Sequence, residues 1–370
     1  MLPNSGIPIA AEITRAARSL LRTGAEPAIV VGYHPVARMN PFQSLLYGGL
    51  ADVGARAVPL ARFQDVDALL AAQSIGAIPV LHIHWTSEVT RQADDEAAAA
   101  ERADAYLEEL ERLKEAGMRI VWSIHNVLPH HCRFPSVESS LRTRLASLVD
   151  VIHIMNPRTI EEVANLYPVD PTKVITVDHP SYAGFYPGVT RLQARLELGI
   201  DDEAIVFGAV GSIQAYKGIG TLADALDLVA DRHVKARGLV AGIPGEGFED
   251  VVERLSHSPS VTLIPRKLND RELADAVAAS DVIVLPYVRS LNSGAAALAV
   301  TFGVPIIAPP EGAFASFIGE GAGVPIEGDT VEDLADAMAR FLENPTTYTR
   351  AAIAYRDRID PDAVSRHFAE

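Results

Sequence analysis

Val282–Pro309, VIVLPYVRSLNSGAAALAVTFGVPIIAP, reads as one strand–helix–strand unit. β-Branched residues carry a strand over Val282–Pro286, where proline ends it. A short loop follows. Asn292-Ser293-Gly294 then opens an alanine-rich helix over Gly294–Phe302, and Gly303-Val304-Pro305 turns sharply into a second strand over Pro305–Ala308. Repeated along a chain, such units make parallel sheets with crossover helices.

The repetition is present on both sides. In the second half the spacing predicts strands at Ile205–Gly211, Gly238–Ala241 and Val261–Ile264, with helices at Thr221–Asp231, Glu249–Ser256 and Asp270–Ser280. In the first half it predicts strands at Ala28–Tyr33, Ala57–Pro59, Val80–Ile83, Ile120–Ile124, Val151–Met155 and Val174–Val177. Helical stretches at Phe42–Val53 and Ala93–Ala116 lie between them; the latter is acidic outside, with Leu107, Leu110 and Leu113 at helical spacing, and reads as a solvated cover helix. Two successive α/β sets imply two Rossmann-like domains facing one another, joined within HPSYAGFYP, His179–Pro187. The expected division is 1–182, 183–346 and a helical segment 347–370 that crosses back to the first domain.

Composition narrows the function. A chain of 370 residues is long for one ordinary core, and 48% apolar with 22% charged residues is a globular balance. Cys132 is the only cysteine, so no intramolecular disulfide forms, which favours a reducing, cytoplasmic setting. Net charge is −16, with 16 basic against 21 acidic groups over residues 1–185 and 16 against 27 beyond. That argues against a nucleic-acid partner, because phosphate backbones call for a basic surface. No basic leader with a long apolar run opens the chain, and no stretch is apolar enough to span a bilayer. Ile9–Arg22 forms an amphipathic helix bearing Arg15, Arg18 and Arg22. It reads as a surface helix covering the first strand, with weak peripheral contact to an anionic membrane as the alternative.

In open parallel sheets, ligands gather at the carboxyl ends of strands. Gly208–Leu226, GAVGSIQAYKGIGTLADAL, runs a buried strand through a loop with Gly211 and Ser212 to Lys217-Gly218 and a helix. Glycine lets backbone approach a ligand closely, and lysine offers a compact cation for pyrophosphate; the plain alternative is an exposed lysine before a helix. At Asn292-Ser293-Gly294 the free N–H groups of the helix start suit phosphate, against the alternative of a simple cap.

A third place is IVWSIHNVLPHHCRFPS, Ile120–Ser136, where a strand ends at His125-Asn126 and His130 and His131 follow. LHIHW ends another strand with His82, His84 and Trp85. Such groups bind sugar hydroxyls or move protons, or they are structural histidines. His125, His130 and His131 match no metal-ligand spacing and have no acidic neighbour, so no metal site is read here. P-loop, GxSxG, HExxH and GxGxxG motifs are absent.

Together these segments resemble the GT-B glycosyltransferases, in particular the group 1 or family-4-like enzymes. The similarity covers nearly the whole chain: GAVGSIQAYKG looks like the family's strand–loop–lysine element and SLNSGAAALAVTFGVPIIA like its donor-phosphate helix. VWSIHNVLPHH and NPFQSLLYGGLADVG look like acceptor-domain elements, and the SGxxxxAxxxGxP form is closest to bacterial exopolysaccharide mannosyl- or glucosyltransferases. The resemblance implies a GDP- or UDP-sugar donor and a glycan, glycolipid or small-molecule acceptor, with no cofactor; no DxD-type motif sits at a strand end, so no metal is expected. Lys217 and His125 would be catalytic. Gly211, Ser212, Lys217, Arg266, Tyr287, Asn292, Ser293 and Gly294 would bind donor; Asn40, His84, Asn126 and His130 would bind acceptor.

Two departures stand out. Many relatives carry arginine directly after the glycine of the lysine loop, where this chain has Ser212; Arg266 or Arg289 would then balance phosphate charge. Many retaining members carry two glutamates eight positions apart, where this chain has Ser290 and Leu298, so no retaining outcome is implied. If the reaction inverts, His125 is the base. Other readings are a GT-B epimerase or hydrolase, and a non-catalytic partner subunit that has lost turnover.

Overall fold

The structure, a computed structural model, describes residues 8–37, 40–129, 132–214, 217–287 and 291–370. The chain divides into two units, Met1–Pro180 with Pro361–Glu370, and Ser181–Asp360. Each is built on a six-stranded parallel sheet among the described residues.

In the first unit the strands are β1 (Ile29–His34), β2 (Ala55–Pro59), β3 (Ile78–Ile83), β4 (Arg119–Ser123), β5 (Val151–Ile154) and β6 (Val174–Thr176), in the order β2-β1-β3-β4-β5-β6. The connection reverses direction between β1 and β3, so the loops after these strands diverge and leave room for a ligand. The helix Ile9–Arg22 spends its apolar face on the unit, burying Ile13, Ala17 and Leu20, while Arg15, Arg18 and Arg22 stay exposed. It is the surface helix, packed on β1, β2 and the 3-10 stretch Phe63–Ile75. The acidic helix Glu96–Glu115 buries Leu107, Leu110 and Leu113 as its spacing requires.

The second sheet holds β7 (Ile205–Val210), β8 (Ala236–Ala241), β9 (Val261–Ile264), β10 (Val282–Val284), β11 (Ile306–Ala308) and β12 (Gly323–Pro325). Its order, β12-β11-β10-β7-β8-β9, places the reversal between β7 and β10. Gly211 and Ser212 follow β7 and Tyr287 follows β10, so these candidate donor residues stand at the carboxyl ends of adjacent strands. Arg195, buried against Asp281 and the carbonyls of Ala204 and Ala279, ties the helix Arg191–Leu198 to this sheet.

The tail departs from a single crossing segment. Pro345–Arg358 is a helix of the second unit that packs on the helix Gly294–Thr301 and on β12; only Pro361–Ala369 belongs with the first. There Ser365 accepts a hydrogen bond from the Gly49 amide at 2.9 Å. The expected helix Phe42–Val53 is an α-turn at Phe42–Leu46 and a 3-10 turn at Leu50–Val53, because Gly48-Gly49 interrupts it.

Candidate functional site

In the second unit, Gly211 continues β7 with φ +111°, a backbone state that L side chains rarely adopt. Its amide donates to Ala241 at 2.9 Å, and its carbonyl lies so close to Gly242 that a Cβ there would sit 1.5 Å from the oxygen. Two glycines are therefore needed for the loops after β7 and β8 to touch. Lys217 folds back beneath this turn, with Nζ 3.4 Å from where a Gly211 Cβ would be. Burial pushes its pKa down, and no acidic group among the described residues forms an ion pair with it. A half-buried cation without an internal counter-charge is the local precondition for taking an anion.

Ser293 caps the helix Gly294–Thr301 by accepting from the Ala296 amide at 3.2 Å, and its hydroxyl lies 3.3 Å from that of Tyr287. The cap engages the third helical amide, leaving those of Gly294 and Ala295 at the helix start. Gly294 is exposed; a Cβ added there would come within 2.9 Å of the Tyr182 hydroxyl. Gly211, Ser212, Lys217, Tyr287 and Ala295 line one small pocket. Asn292 is half-buried beside it. Arg266 stands apart: exposed, it forks onto Glu272 at 2.7 and 2.9 Å, so its charge is already balanced. Arg289 and Ser290 lie outside the described residues.

In the first unit, β3, β4 and β5 turn histidines inward. His125, just past β4, stacks on Trp85 with ring centroids 4.4 Å apart and meets the edge of Phe42 at 5.1 Å. Its Nε2 lies 3.0 Å from Nδ1 of His84. His84 is 1% exposed and its other nitrogen is 2.7 Å from the Tyr47 hydroxyl. Both nitrogens of His84, expected from the sequence to bind acceptor, are occupied inside the protein, where it holds His125. Tyr47 also reaches His82 Nδ1 at 2.7 Å; His82 and His153 both lie 2.7 Å from the Ser123 hydroxyl; and His153 Nε2 is 3.0 Å from the Val177 carbonyl. Burial pushes His82, His84 and His125 well below the ordinary histidine range and His153 and His179 to about 4, with neighbouring imidazoles adding repulsion at all of these but His179.

The loop after His125 is held from below. Arg142, on the helix Pro135–Leu148, donates to the carbonyls of Asn126 at 2.6 Å and Val127 at 3.0 Å and pairs with Glu138 at 3.5 Å. Thr86 and Thr90 donate to the same carboxylate. Sequence reasoning missed Tyr47, Ser123, Arg142, Glu138 and His153; only Glu138 and Arg142 left a local trace, as an i,i+4 charge pair. Asn40 is exposed and accepts from the Phe42 amide at 2.9 Å, starting the turn that carries Phe42 to His125. His130 lies outside the described residues. A cavity of about 500 Å3 beside β2 is lined by Arg15, Tyr33, Ser44 and Tyr47, among others, and by none of the described candidate site residues. No cluster of three or more His, Cys, Asp or Glu among the described residues is arranged to hold a metal, and no described helix is long and apolar enough to cross a membrane.

Two parallel sheets, each with its loops gathered at a reversal point, define the GT-B class, and solved structures of that class match the chain throughout. HepE of Anabaena in complex with UDP matches with a TM-score of 0.65 at 13% identity, covering 92% of this chain and 98% of that one. Sucrose-phosphate synthase of Thermosynechococcus elongatus matches at 0.61 and 15%, covering 92% and 96%. Residues 204–344 match the family described as glycosyl transferases group 1. GDP-mannose:glycolipid 4-beta-D-mannosyltransferase of Xanthomonas campestris is 28% identical over 80% of this chain and 77% of its own length. D-inositol 3-phosphate glycosyltransferase of Rhodococcus erythropolis is 32% identical over 50% of this chain and 44% of its own. In fold the chain is of the GT-B class, and within its second unit residues 204–344 match glycosyl transferases group 1.

Proposed function

We propose that this glycosyltransferase moves a mannosyl residue from GDP-mannose to a glycan or glycolipid hydroxyl, without a metal, and with inversion at the anomeric carbon. The observation that carries the donor half is Lys217, a half-buried cation with no ion-pair partner among the described residues, set beside the Ser293–Gly294 helix start. The diphosphate takes the position of the missing counter-charge. Lys217 supplies the cation, the Gly294 and Ala295 amides donate to phosphate oxygens, and Tyr287, Asn292 and Ser212 supply further polar contacts. Because this machinery stabilises the departing diphosphate, it acts in the transition state as well as in binding.

GDP-mannose is favoured over a UDP-sugar by the Xanthomonas relative, whose name gives that donor, a glycolipid acceptor and a 4-beta product. A beta product from an alpha-configured sugar nucleotide is an inversion, and inversion requires a base for the acceptor hydroxyl. His125 is that base, with Asn126 beside it to orient the acceptor. Its lowered pKa keeps it unprotonated at neutral pH, at some expense in basicity. A lipid-linked acceptor would bring the first unit to the cytoplasmic face of a membrane, where exposed Arg15, Arg18 and Arg22 suit anionic headgroups.

Calorimetric titration with GDP, UDP, dTDP and ADP in the presence of a chelator tests the reading. Tight binding of GDP alone supports it. Preference for UDP overturns the mannosyl assignment, and binding of none overturns the donor site and favours a non-catalytic partner subunit.

A further inference from the structure

Six hydrogen bonds join His125, His84, Tyr47, His82, Ser123, His153 and the Val177 carbonyl into one unbroken chain, buried except at its half-buried His125 end. Its far end is a carbonyl oxygen, which only accepts. That single fact sets the direction of every link, provided the imidazoles are neutral, because a neutral imidazole has one hydrogen and a hydroxyl has one.

His153 must donate from Nε2 to Val177, so its Nδ1 is an acceptor and Ser123 must donate to it. With its hydrogen spent there, Ser123 accepts from His82 Nε2. His82 Nδ1 then accepts from the Tyr47 hydroxyl, and Tyr47 in turn accepts from His84 Nε2. His84 Nδ1 therefore accepts from His125 Nε2. Every alternative assignment leaves two lone pairs or two hydrogens facing each other at 2.7–3.0 Å somewhere along the chain.

We propose that this chain is a tautomer lock in which the Val177 carbonyl, acting through Ser123 and Tyr47, fixes the hydrogen of His125 on Nε2 and makes Nδ1 the atom that accepts the acceptor sugar's proton. The proposal rests on the reading of His125 as the base. Burial supports the neutrality it requires, since His82, His84, His125 and His153 all disfavour the charged form. Phe368 of the terminal helix stacks on His82 at 5.1 Å and meets His153 edge-on at 5.2 Å, lining the chain with aromatic surface.

In the reaction the acceptor O–H bond breaks and an N–H bond forms at His125 Nδ1. The acceptor oxygen forms the new glycosidic bond as the bond from the anomeric carbon to phosphate breaks, its electron pair leaving with the nucleoside diphosphate. The resulting imidazolium keeps its Nε2 hydrogen bonded to His84. A carbonyl cannot take up a proton and pass it on, so the chain orients His125 without draining it; the proton returns to solvent from Nδ1. Tyr47 and Ser123 are thus positioning residues, each distant from the reacting atoms in bonding terms.

The test is long-range 1H–15N spectroscopy of the 15N-histidine-labelled full chain at neutral pH, assigned with single His→Gln variants, beside donor kinetics. The expected spectrum has His125 Nδ1 unprotonated and Nε2 protonated. Tyr47→Phe and Ser123→Ala each move the two His125 nitrogens toward averaged shifts and lower kcat about 10- to 100-fold, with donor KM little changed. The double variant is no slower than Tyr47→Phe alone, because both cut the same chain. A hydrogen on His125 Nδ1 in the unaltered protein overturns the lock. So do His125 signals indifferent to both substitutions in proteins that still bind nucleotide. Full transfer by His125→Gln sinks the base assignment instead, an outcome the spectra do not touch.

Discussion

The Arg142 guanidinium donates to the main-chain carbonyl of Asn126 at 2.6 Å, tying the residue after His125 to a helix that follows it in sequence by only a short loop. The tie is internal to the unit and almost dry. Arg142 is 5% exposed and its partner Glu138 1%. Its purpose is to hold a strand-end loop whose own residues have no regular structure to fix them.

Arg142→Met removes one partner of a buried pair and strands the Glu138 carboxylate, a change that costs on the order of 3–5 kcal/mol. Urea unfolding followed by tryptophan fluorescence checks it, since both tryptophans, Trp85 and Trp122, belong to the first unit. Adding Glu138→Gln should recover part of the loss, because a neutral amide is less costly to bury than an unpaired carboxylate. A variant as stable as the parent would show that the loop needs no such anchor.

Acid should unfold the first unit before the second. Three buried histidines, His82, His84 and His153, and two half-buried ones, His125 and His179, have pKa values held below the ordinary 6.5, with His153 and His179 at about 4. Between about pH 6.5 and 4 the unfolded chain binds protons that the folded unit refuses, so stability is complete above 6.5 and falls as pH drops through this window. His153 alone would contribute about 3 kcal/mol across it. Tryptophan-detected melting temperatures should fall steadily from about pH 8 to about pH 4, a span that brackets the histidine range, and a flat profile would contradict neutral imidazoles.

Lys217→Ala should weaken GDP binding by about 1.5–3 kcal/mol, the value of a charge-assisted contact, with the melting temperature unchanged or raised. The gain in stability, if any, follows from removing a half-buried cation with no ion-pair partner among the described residues. Unaltered GDP affinity in calorimetry would take the lysine loop out of the donor site.

Gly294→Ala sets a Cβ 2.9 Å from the Tyr182 hydroxyl at the helix start proposed for phosphate. Donor affinity should drop, and Tyr182→Phe in the same chain should restore it by removing the oxygen in the way. A drop that the second substitution fails to repair would locate the damage at the phosphate contacts themselves.

The α/β class and the positions of eleven strands followed from the sequence because each is a local matter. β-Branched runs make strands wherever they are buried, Ser293 caps its helix through a residue three positions on, and glycine before Lys217 permits a turn without reference to the rest of the chain. β12 escaped because Gly323-Val324-Pro325 is too short to show a period, and Phe63–Ile75 because a 3-10 stretch follows no 3.6-residue stripe. What the tertiary structure alone decided is the environment of His125. Ser123 and His153 are 30 positions apart in sequence yet directly opposed on β4 and β5, and Tyr47 reaches His82 and His84 from a separate turn. Strand order is set by how whole layers bury their apolar faces, so no reading of LHIHW or SIHN by itself could tell that their histidines are links of one chain ending on a carbonyl.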